Sequence, residues 1–153
     1  MKKLILVFAS LLITLSISSQ GNKNLAELLG YPGDSRLLII HADDMGLAHS
    51  VNTACISAFD KKGITSGSIM VPCPWANEIE AYVKDHPGLD VGIHLTMTAE
   101  WDQYKWGGIT PSDQIPSLLD KNNYFYPSVE ELSKTAKGAE AEKELKAQID
   151  RAI

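Results

Sequence analysis

The sequence predicts an α/β fold built on a parallel sheet, and three observations support this prediction. Short apolar runs alternate with segments of helical periodicity between residues 36 and 95. The order strand, helix, strand, helix, strand at this spacing is typical of βαβ units, whose right-handed crossovers make neighbouring strands parallel. Polar side chains follow two of the three predicted strands, at the edge where parallel α/β proteins place their ligands.

The overall composition is that of a globular protein. Of the 153 residues, 44% are hydrophobic and 22% are charged, which is far from the composition of disordered chains. The length suits one domain or part of a larger one. Because the net charge is −5 and no basic stripe offsets it, we expect no nucleic-acid partner.

The first twenty residues have the layout of a secretory signal peptide. Lys2 and Lys3 give a positive start, residues 4–17 are mostly apolar, and serines near the end of this run offer a cleavage site. A transmembrane anchor is the alternative, but the run is shorter than the ~20 residues that a bilayer core requires. We therefore predict that residues 1–20 are cleaved, and that the protein is exported to the periplasm or beyond without a stable membrane span.

The next elements begin with a leader segment and the first strand. Residues 21–35 are polar and contain the turn sequence Tyr31-Pro32-Gly33-Asp34, so we expect them to precede the domain. The apolar run at 37–40 predicts a strand buried on both faces. Residues 50–62 have helical periodicity and predict a helix closed by Gly63 as its C-terminal cap.

Two more strands and a second helix follow. Residues 66–71 predict the second strand, which prolines end, residues 76–85 predict the second helix, and residues 90–95 predict the third strand. Cys55 falls on the inward face of the first helix, and neither it nor Cys73 has a neighbouring cysteine. We therefore favour buried thiols over a disulfide.

After residue 95 the regular alternation of strands and helices ends. Residues 96–126 lack a period, and a loop of this length inside a compact domain is usually functional. Residues 128–153 predict a helix with a capping box of Ser128 and Glu131, and the Ala-, Glu- and Lys-rich stretch at 136–147 predicts a solvated face. Because the helical stripe continues to the last residue and three parallel strands cannot close a barrel, we expect an incomplete barrel-like fold of about three β/α units, truncated at the C-terminus.

Acidic and imidazole side chains lie at the carboxyl ends of the first and third predicted strands. Asp43 and Asp44 come after the first strand, and His94 lies near the end of the third. Because the carboxyl ends of parallel strands meet at one edge, we expect these side chains to lie close together. Carboxylate oxygens and a neutral imidazole nitrogen suit a divalent cation. We expect the side chains of the two adjacent acids to diverge, so that one can bind the metal while the other accepts a proton.

Structural explanations compete with this metal site. An Asp pair before Gly46 also suits a turn and a helix cap, and a lone histidine in an apolar strand is often a hydrogen-bonded core residue. A catalytic metal usually has three protein ligands, and no histidine follows His94. A further ligand is therefore expected either beyond residue 153 or nowhere.

Three motifs resemble those of the YdjC-like carbohydrate deacetylases, and together they are more specific than any one alone. The likeness runs from about residue 36 to 100 and returns weakly at 140–153. The motifs are Leu37-Leu38-Ile39-Ile40-His41-Ala42-Asp43-Asp44-Met45-Gly46-Leu47 with Val51-Asn52, Gly63-Ile64-Thr65-Ser66-Gly67-Ser68-Ile69-Met70-Val71, and Val91-Gly92-Ile93-His94-Leu95-Thr96.

The resemblance implies a deformed (β/α) barrel that removes acetyl groups from N-acetylated amino sugars or chitooligosaccharides. It implies a divalent metal ion, Mg²⁺ or Zn²⁺, held by Asp44 and His94, with Asp43 as the general base. The reverse assignment of the two acids stays open. Members of the family take another ligand from a later histidine, and they usually have Asn where His41 stands. Residues 36–153 are accordingly interpreted as the N-terminal part of the deacetylase domain.

The aromatic residues of the long loop have two interpretations, either stacking on sugar rings or anchoring the loop in the core. Two other functions also remain. One is a non-catalytic exported carbohydrate-binding protein on the same fold, and the other is a metal-dependent hydrolase of another bond, such as a phosphodiester. The aromatic residues are Trp101, Tyr104, Trp106, Tyr124 and Tyr126.

Overall fold

A computed structural model describes residues 23–153. The predicted signal peptide lies outside these residues. The described residues fall into two units, 23–38 and Ile39–Ile153. Among the described residues, no helix combines the length and the apolar character needed to cross a membrane.

The described part of the first unit contains one short helix, α1, at Leu25–Leu28. Asn24 begins this helix with a capping box, in which its side chain accepts from the backbone of Glu27 while the Glu27 carboxylate accepts from the backbone of Asn24. The predicted turn at 31–34 is confirmed, because Ser35 N donates to the carbonyl of Pro32 at 3.0 Å.

The second unit is built on a parallel sheet of three strands in the order β1-β2-β3. Two helices connect the strands, so the unit contains two βαβ crossovers. This confirms the predicted α/β class and the parallel sheet. In chain order the elements are β1 at His41–Met45, α2 at His49–Asp60, β2 at Ser66–Ile69, α3 at Ala76–Asp85 and β3 at Val91–Ile93.

The position predicted for the first strand is wrong. The apolar run at 37–40 is exposed, with Leu38 at 77% and Ile39 at 75%, and β1 begins only at His41. Register explains the difference: β2 begins at Ser66, whose partner in β1 is His41. The apolar run therefore precedes the ladder, and hydrophobicity alone could not locate where pairing starts.

The end predicted for the first helix is also wrong. Helix α2 ends at Asp60, and Lys62 adopts the left-handed conformation with φ of +56°. Gly63 N then donates to the carbonyl of Ala58 at 2.8 Å, which closes the last turn. The lysine therefore occupies the left-handed position that usually favours glycine, and Gly63 comes one residue later.

The cysteines are buried free thiols, as predicted. Burial raises the pKa of the Cys55 thiol. Burial, followed by the negative charge of Asp44, raises the pKa of the Cys73 thiol to about 12. Both shifts favour the protonated thiol, as is usual for buried structural cysteines.

The segment at 96–126 is compact rather than an open loop. It contains two short 3-10 helices, Ser112–Gln114 and Pro116–Leu118, and Leu119 forms an isolated antiparallel bridge with Phe125. Its apolar side chains supply most of the larger core cluster, which also takes residues from the ends of the sheet. This cluster contains Leu47, Met70, Cys73, Ala99, Trp106, Ile115, Leu118, Leu119, Phe125 and Leu132.

The C-terminal segment forms two helices instead of the one predicted. Helix α4 covers Val129–Thr135 and helix α5 covers Gly138–Ala152. Ser128 caps α4 by accepting from Glu131 N at 3.2 Å. The prediction of a solvated face at 136–147 is wrong for Glu144, which is completely buried. Backbone N–H groups of the preceding segment donate hydrogen bonds to its carboxylate and so replace water there.

Candidate metal centre

The strand β1 contains an irregularity where the two acidic residues lie. Ala42 pairs with Gly67 and Met45 with Ile69, so β1 carries one more residue than β2 between these pairs, as in a β-bulge. Asp44 has φ of +58°, a left-handed conformation that aspartate adopts more readily than most residues. The extra residue interrupts the alternation of side chains along the strand, so two adjacent acids can approach the same point.

A buried asparagine holds the turn that follows the bulge. Asn52 of α2 is 0% exposed, and its Oδ1 accepts from Gly46 N at 2.6 Å. Its Nδ2 donates to the carbonyl of Trp75 at 3.0 Å and to the carboxylate of Glu78 at 2.6 Å. Gly46 itself has φ of +90°, and a Cβ there would lie 3.0 Å from Cα of Ala76. Backbone geometry and close packing therefore both require glycine at this position.

The third predicted site residue follows β3 directly. His94 N donates to the carbonyl of Ile69 at 2.9 Å, which keeps the histidine beside the end of β2. Its Nε2 lies 3.4 Å from Oδ1 of Asp44. Asp43, Asp44 and His94 each offer one ligand atom, and these atoms all lie within 4.8 Å of one another. The structure thus brings the three residues together. The expected divergence of the two acids is wrong, because the extra residue of the bulge lets neighbouring side chains of β1 approach the same point.

The donor set fits a divalent cation. Ligand atoms about 2 Å from a tetrahedral ion lie about 3.3 Å from each other, so the separation of 3.4 Å between His94 Nε2 and Asp44 Oδ1 suits a shared ion. Burial raises the pKa of the Asp44 carboxyl, and the charges of Asp43 and Glu100 raise it as well, whereas His94 lowers it. A cation would offset the repulsion among these acids.

The other three histidines of the sequence have partners outside this cluster. The ring nitrogens of His41 lie 2.8 Å from the hydroxyl of Ser66 and 3.0 Å from that of Ser68, across the β1–β2 pair. His49 lies 2.7 Å from a carboxylate oxygen on α3. His86 contacts the last turn of α3 through the Tyr82 carbonyl at 2.8 Å. Among the described residues, the cluster therefore contains one imidazole.

The aromatic residues of the 96–126 segment divide into two groups. Trp106 is buried, and Tyr104 and Tyr126 pack against the same core, so these three anchor the segment. Trp101 and Tyr124 are 46% and 41% exposed. Anchoring therefore explains three of the five, and stacking on a ligand stays a prediction for the other two.

Sequence reasoning missed two buried polar residues near the site. Glu144 and Gln148 of α5 are both 0% exposed, and Gln148 bonds to the backbone of Thr96, two residues after His94. Their spacing of four residues on a polar helix resembles an ordinary solvated pair, so periodicity gave no signal. Asn52 belongs to the first sequence motif, and a polar residue on the buried face of α2 is itself a signal of a structural role.

Comparison with known proteins places the chain in a family. The family described as YdjC-like protein matches residues 37–153. A carbohydrate deacetylase of Thermus thermophilus is 40% identical over 129 residues, which cover 84% of this chain and 43% of that protein. A chitooligosaccharide deacetylase of Serratia marcescens is 35% identical over 57% of this chain and 31% of that protein.

A solved structure agrees with this match. A crystal structure from Enterococcus faecalis V583, whose name assigns it to cellobiose-phosphate cleavage, has a TM-score of 0.65 and 29% identity and covers 74% of this chain and 42% of that one. The chain thus spans less than half the length of these relatives. The match of the family over 37–153, together with the identity to the Thermus thermophilus protein, establishes that this chain belongs to the YdjC-like protein family.

Proposed function

We propose that this chain carries part of the active site of a metal-dependent deacetylase, which removes acetyl groups from N-acetylated amino sugars or chitooligosaccharides. The observation that carries the proposal is the convergence of Asp43, Asp44 and His94 at one edge of the sheet. The names of the relatives, carbohydrate deacetylase and chitooligosaccharide deacetylase, support the substrate class.

Asp44 and His94 would hold the divalent ion, Mg²⁺ or Zn²⁺, since their ligand atoms lie 3.4 Å apart. When bound, the ion polarises the acetyl carbonyl and lowers the pKa of a water molecule. Asp43 is the exposed member of the cluster and is therefore open to water. It would act as the general base that takes a proton from the attacking water.

The 153 residues by themselves would have little activity. With Asp43 as the base, the cluster offers two metal ligands, Asp44 and His94, whereas catalytic metal sites usually have three from the protein. Acetate release by the isolated chain at the rate of its relatives would contradict this part of the proposal.

Acetate release tests the proposal most simply. The protein expressed from its complete coding sequence is incubated with N-acetylated chitooligosaccharides, with and without a chelator. We expect chelation and His94→Ala to abolish turnover, and Asp43→Asn to lower it by about 10²–10⁴-fold, as for loss of a general base. His86→Ala is the matched control, because that histidine is exposed and lies outside the cluster. Unchanged turnover in Asp43→Asn would remove its proposed role.

A carbohydrate-binding protein without catalysis is the second candidate. The exposed side chains of Trp101 and Tyr124 favour it, because exposed aromatic rings can stack on sugars. In that case the protein would bind chitooligosaccharides without releasing acetate, and a chelator would leave binding unchanged. Loss of binding in Trp101→Ala would then identify the surface.

We also propose that the protein is exported, on the basis of the positive start and apolar run of residues 1–20. N-terminal sequencing of the protein from the producing cell would then find the mature chain starting after this segment. An intact N-terminus in the cytoplasmic fraction would contradict export.

A further inference from the structure

We propose that Gln148 and Glu144 of helix α5 are positioning residues for His94, so that the metal affinity of the site depends on a helix that supplies no ligand. The inference rests on the proposed function, because it takes Asp44 and His94 as the metal ligands. It adds two residues that lie fifty or more positions after the histidine along the chain.

Gln148 fixes the backbone directly after the histidine. The backbone hydrogen bond from His94 N to the carbonyl of Ile69 joins the end of this strand to β2. Two residues later, Thr96 N donates to Gln148 Oε1 at 3.0 Å, and Gln148 Nε2 donates to the carbonyl of Thr96 at 2.7 Å. The side-chain amide therefore takes the place of a neighbouring strand, offering one acceptor and one donor as a peptide group does.

Glu144 fixes the orientation of this amide. The second hydrogen of Gln148 Nε2 is directed to Glu144 Oε1 at 2.8 Å, one turn earlier on α5. An exchange of the amide oxygen and nitrogen would place acceptors against Glu144 and against the carbonyl of Thr96, and it would lose all three bonds. The amide is thus held in one of its two orientations.

Glu144 is itself held by the backbone of the preceding segment. Its carboxylate accepts from Ile109 N and Thr110 N, each at 2.9 Å. Gly108 permits this approach, since a Cβ there would lie 2.7 Å from Glu144 Oε2 and 2.6 Å from Cδ1 of Ile115. Because this carboxylate is buried, water cannot replace any of its three hydrogen-bond donors. Loss of one of these hydrogen bonds therefore lowers the free energy of unfolding.

These bonds connect three parts of the second unit. The stretch after His94, the segment at 107–110 and helix α5 share one buried polar network, with Glu144 and Gln148 both 0% exposed. Because Thr96 cannot shift without breaking this network, the backbone that carries the histidine ring is restrained on both sides. Loss of the network would therefore let the ring leave the position 3.4 Å from Asp44 Oδ1.

Calorimetric titration with Zn²⁺ tests the inference on the protein expressed from its complete coding sequence. Gln148→Met keeps the length of the side chain and removes its hydrogen bonds. We expect its dissociation constant for Zn²⁺ to rise by about tenfold, the lower end of the range for groups that orient metal ligands. Glu144→Gln should weaken binding in the same direction, since its amide would direct a donor at backbone N–H groups. Glu142→Gln is the control, because it makes the same change at an exposed position of α5.

A second control separates positioning from stability. Leu132→Ala removes a buried side chain of the core and should lower the melting temperature without changing the dissociation constant. If folded Gln148→Met binds Zn²⁺ as the wild type does, the inference is overturned. If Gln148→Met does not fold, Glu144→Gln decides by the same criterion. Rapid hydrogen exchange of the Thr96 amide in the wild type would also overturn it, because that amide is then not held.

Failure of the inference and failure of the proposed function have different outcomes. If His94→Ala leaves Zn²⁺ binding unchanged, the proposed metal site is wrong and the inference falls with it. If His94→Ala abolishes binding while Gln148→Met and Glu144→Gln leave it unchanged, the metal site stands and only the role of helix α5 is removed.

Discussion

The two strand ends that carry the candidate ligands are built differently. At β1 the backbone is irregular, with an extra residue and a left-handed Asp44. At β3 the ladder is regular up to the bond between His94 and the end of β2. Each end is nevertheless held by one completely buried amide side chain, Asn52 for the first and Gln148 for the second.

The difference lies in where each amide comes from. Asn52 is six residues after its partner Gly46, within the same β1–α2 unit. Gln148 is 52 residues after its partner Thr96, on the last helix. One half of the site can therefore be arranged locally, whereas the other half depends on packing of the C-terminal helix.

Asn52→Ala should have the largest effect on stability. It leaves Gly46 N without its acceptor inside the fold, and it removes one donor from the Trp75 carbonyl, which keeps Glu78 N, and one from the Glu78 carboxylate. A buried group that loses its partner costs about 1–3 kcal/mol, and the two other lost bonds add to this cost, so we expect the free energy of unfolding to fall by about 3 kcal/mol. Urea denaturation followed by circular dichroism measures this, and Thr53→Ala, at the next and exposed position, should stay within about 0.5 kcal/mol. Equal effects of the two changes would contradict a local anchor at Asn52.

Gly108→Ala tests whether Glu144 of helix α5 holds the segment at 107–110 in place. The added methyl group would clash with Glu144 and Ile115, and three hydrogen bonds prevent Glu144 from moving away. Overpacking of this kind costs typically about 1–3 kcal/mol. Gly88→Ala is the matched control, because a Cβ at Gly88 meets nothing within 4 Å. Thermal melts that show the same small change in both variants would mean that the segment at 107–110 is free to adjust.

Substitutions at Asp44 separate backbone conformation from metal binding. With φ of +58°, this position suits Asn or Asp far better than a β-branched residue. Asp44→Val should therefore lower the free energy of unfolding by about 1–2 kcal/mol, the cost of the left-handed conformation, while Asp44→Asn changes it little. Both should weaken Zn²⁺ binding in calorimetric titration. Equal stability of the two variants would mean that the bulge is not strained.

The smallest effect is expected for chemical labelling of Cys73, which lies in the loop after β2, between the two strand ends. Because burial raises the pKa of the Cys73 thiol to about 12, this group is protonated at pH 8 in the folded protein. We expect a thiol reagent to label Cys73 only after denaturation, and raising the pH to 9 should increase labelling far less in folded than in denatured protein. Fast labelling of the native protein would show that this loop opens.

The local parts of the structure could be predicted from the sequence. The alternation of apolar and helical segments gave the α/β class, and helix α3 begins and ends at the predicted residues. The meeting of Asp43, Asp44 and His94 followed from the rule that parallel strands present their carboxyl ends at one edge. In each case the signal lies within one element or in the order of elements.

The parts that could not be predicted depend on distant partners. The apolar run at 37–40 resembles a buried strand, but pairing with β2 begins only at His41. Glu144 and Gln148 resemble solvated helix residues, yet the backbone of Thr96 and of residues 109 and 110 buries them. Hydropathy ranks a side chain by its own chemistry, and it contains no information about a backbone donor far along the chain.

Anomalous diffraction from crystals grown with Zn²⁺ would locate the ion itself. We expect one anomalous peak within about 2.2 Å of both His94 Nε2 and a carboxylate oxygen of Asp44, with Asp43 beside it. A peak at another histidine and carboxylate pair, such as His49 and Glu78, or no peak near His94 would show that these residues do not form the metal site.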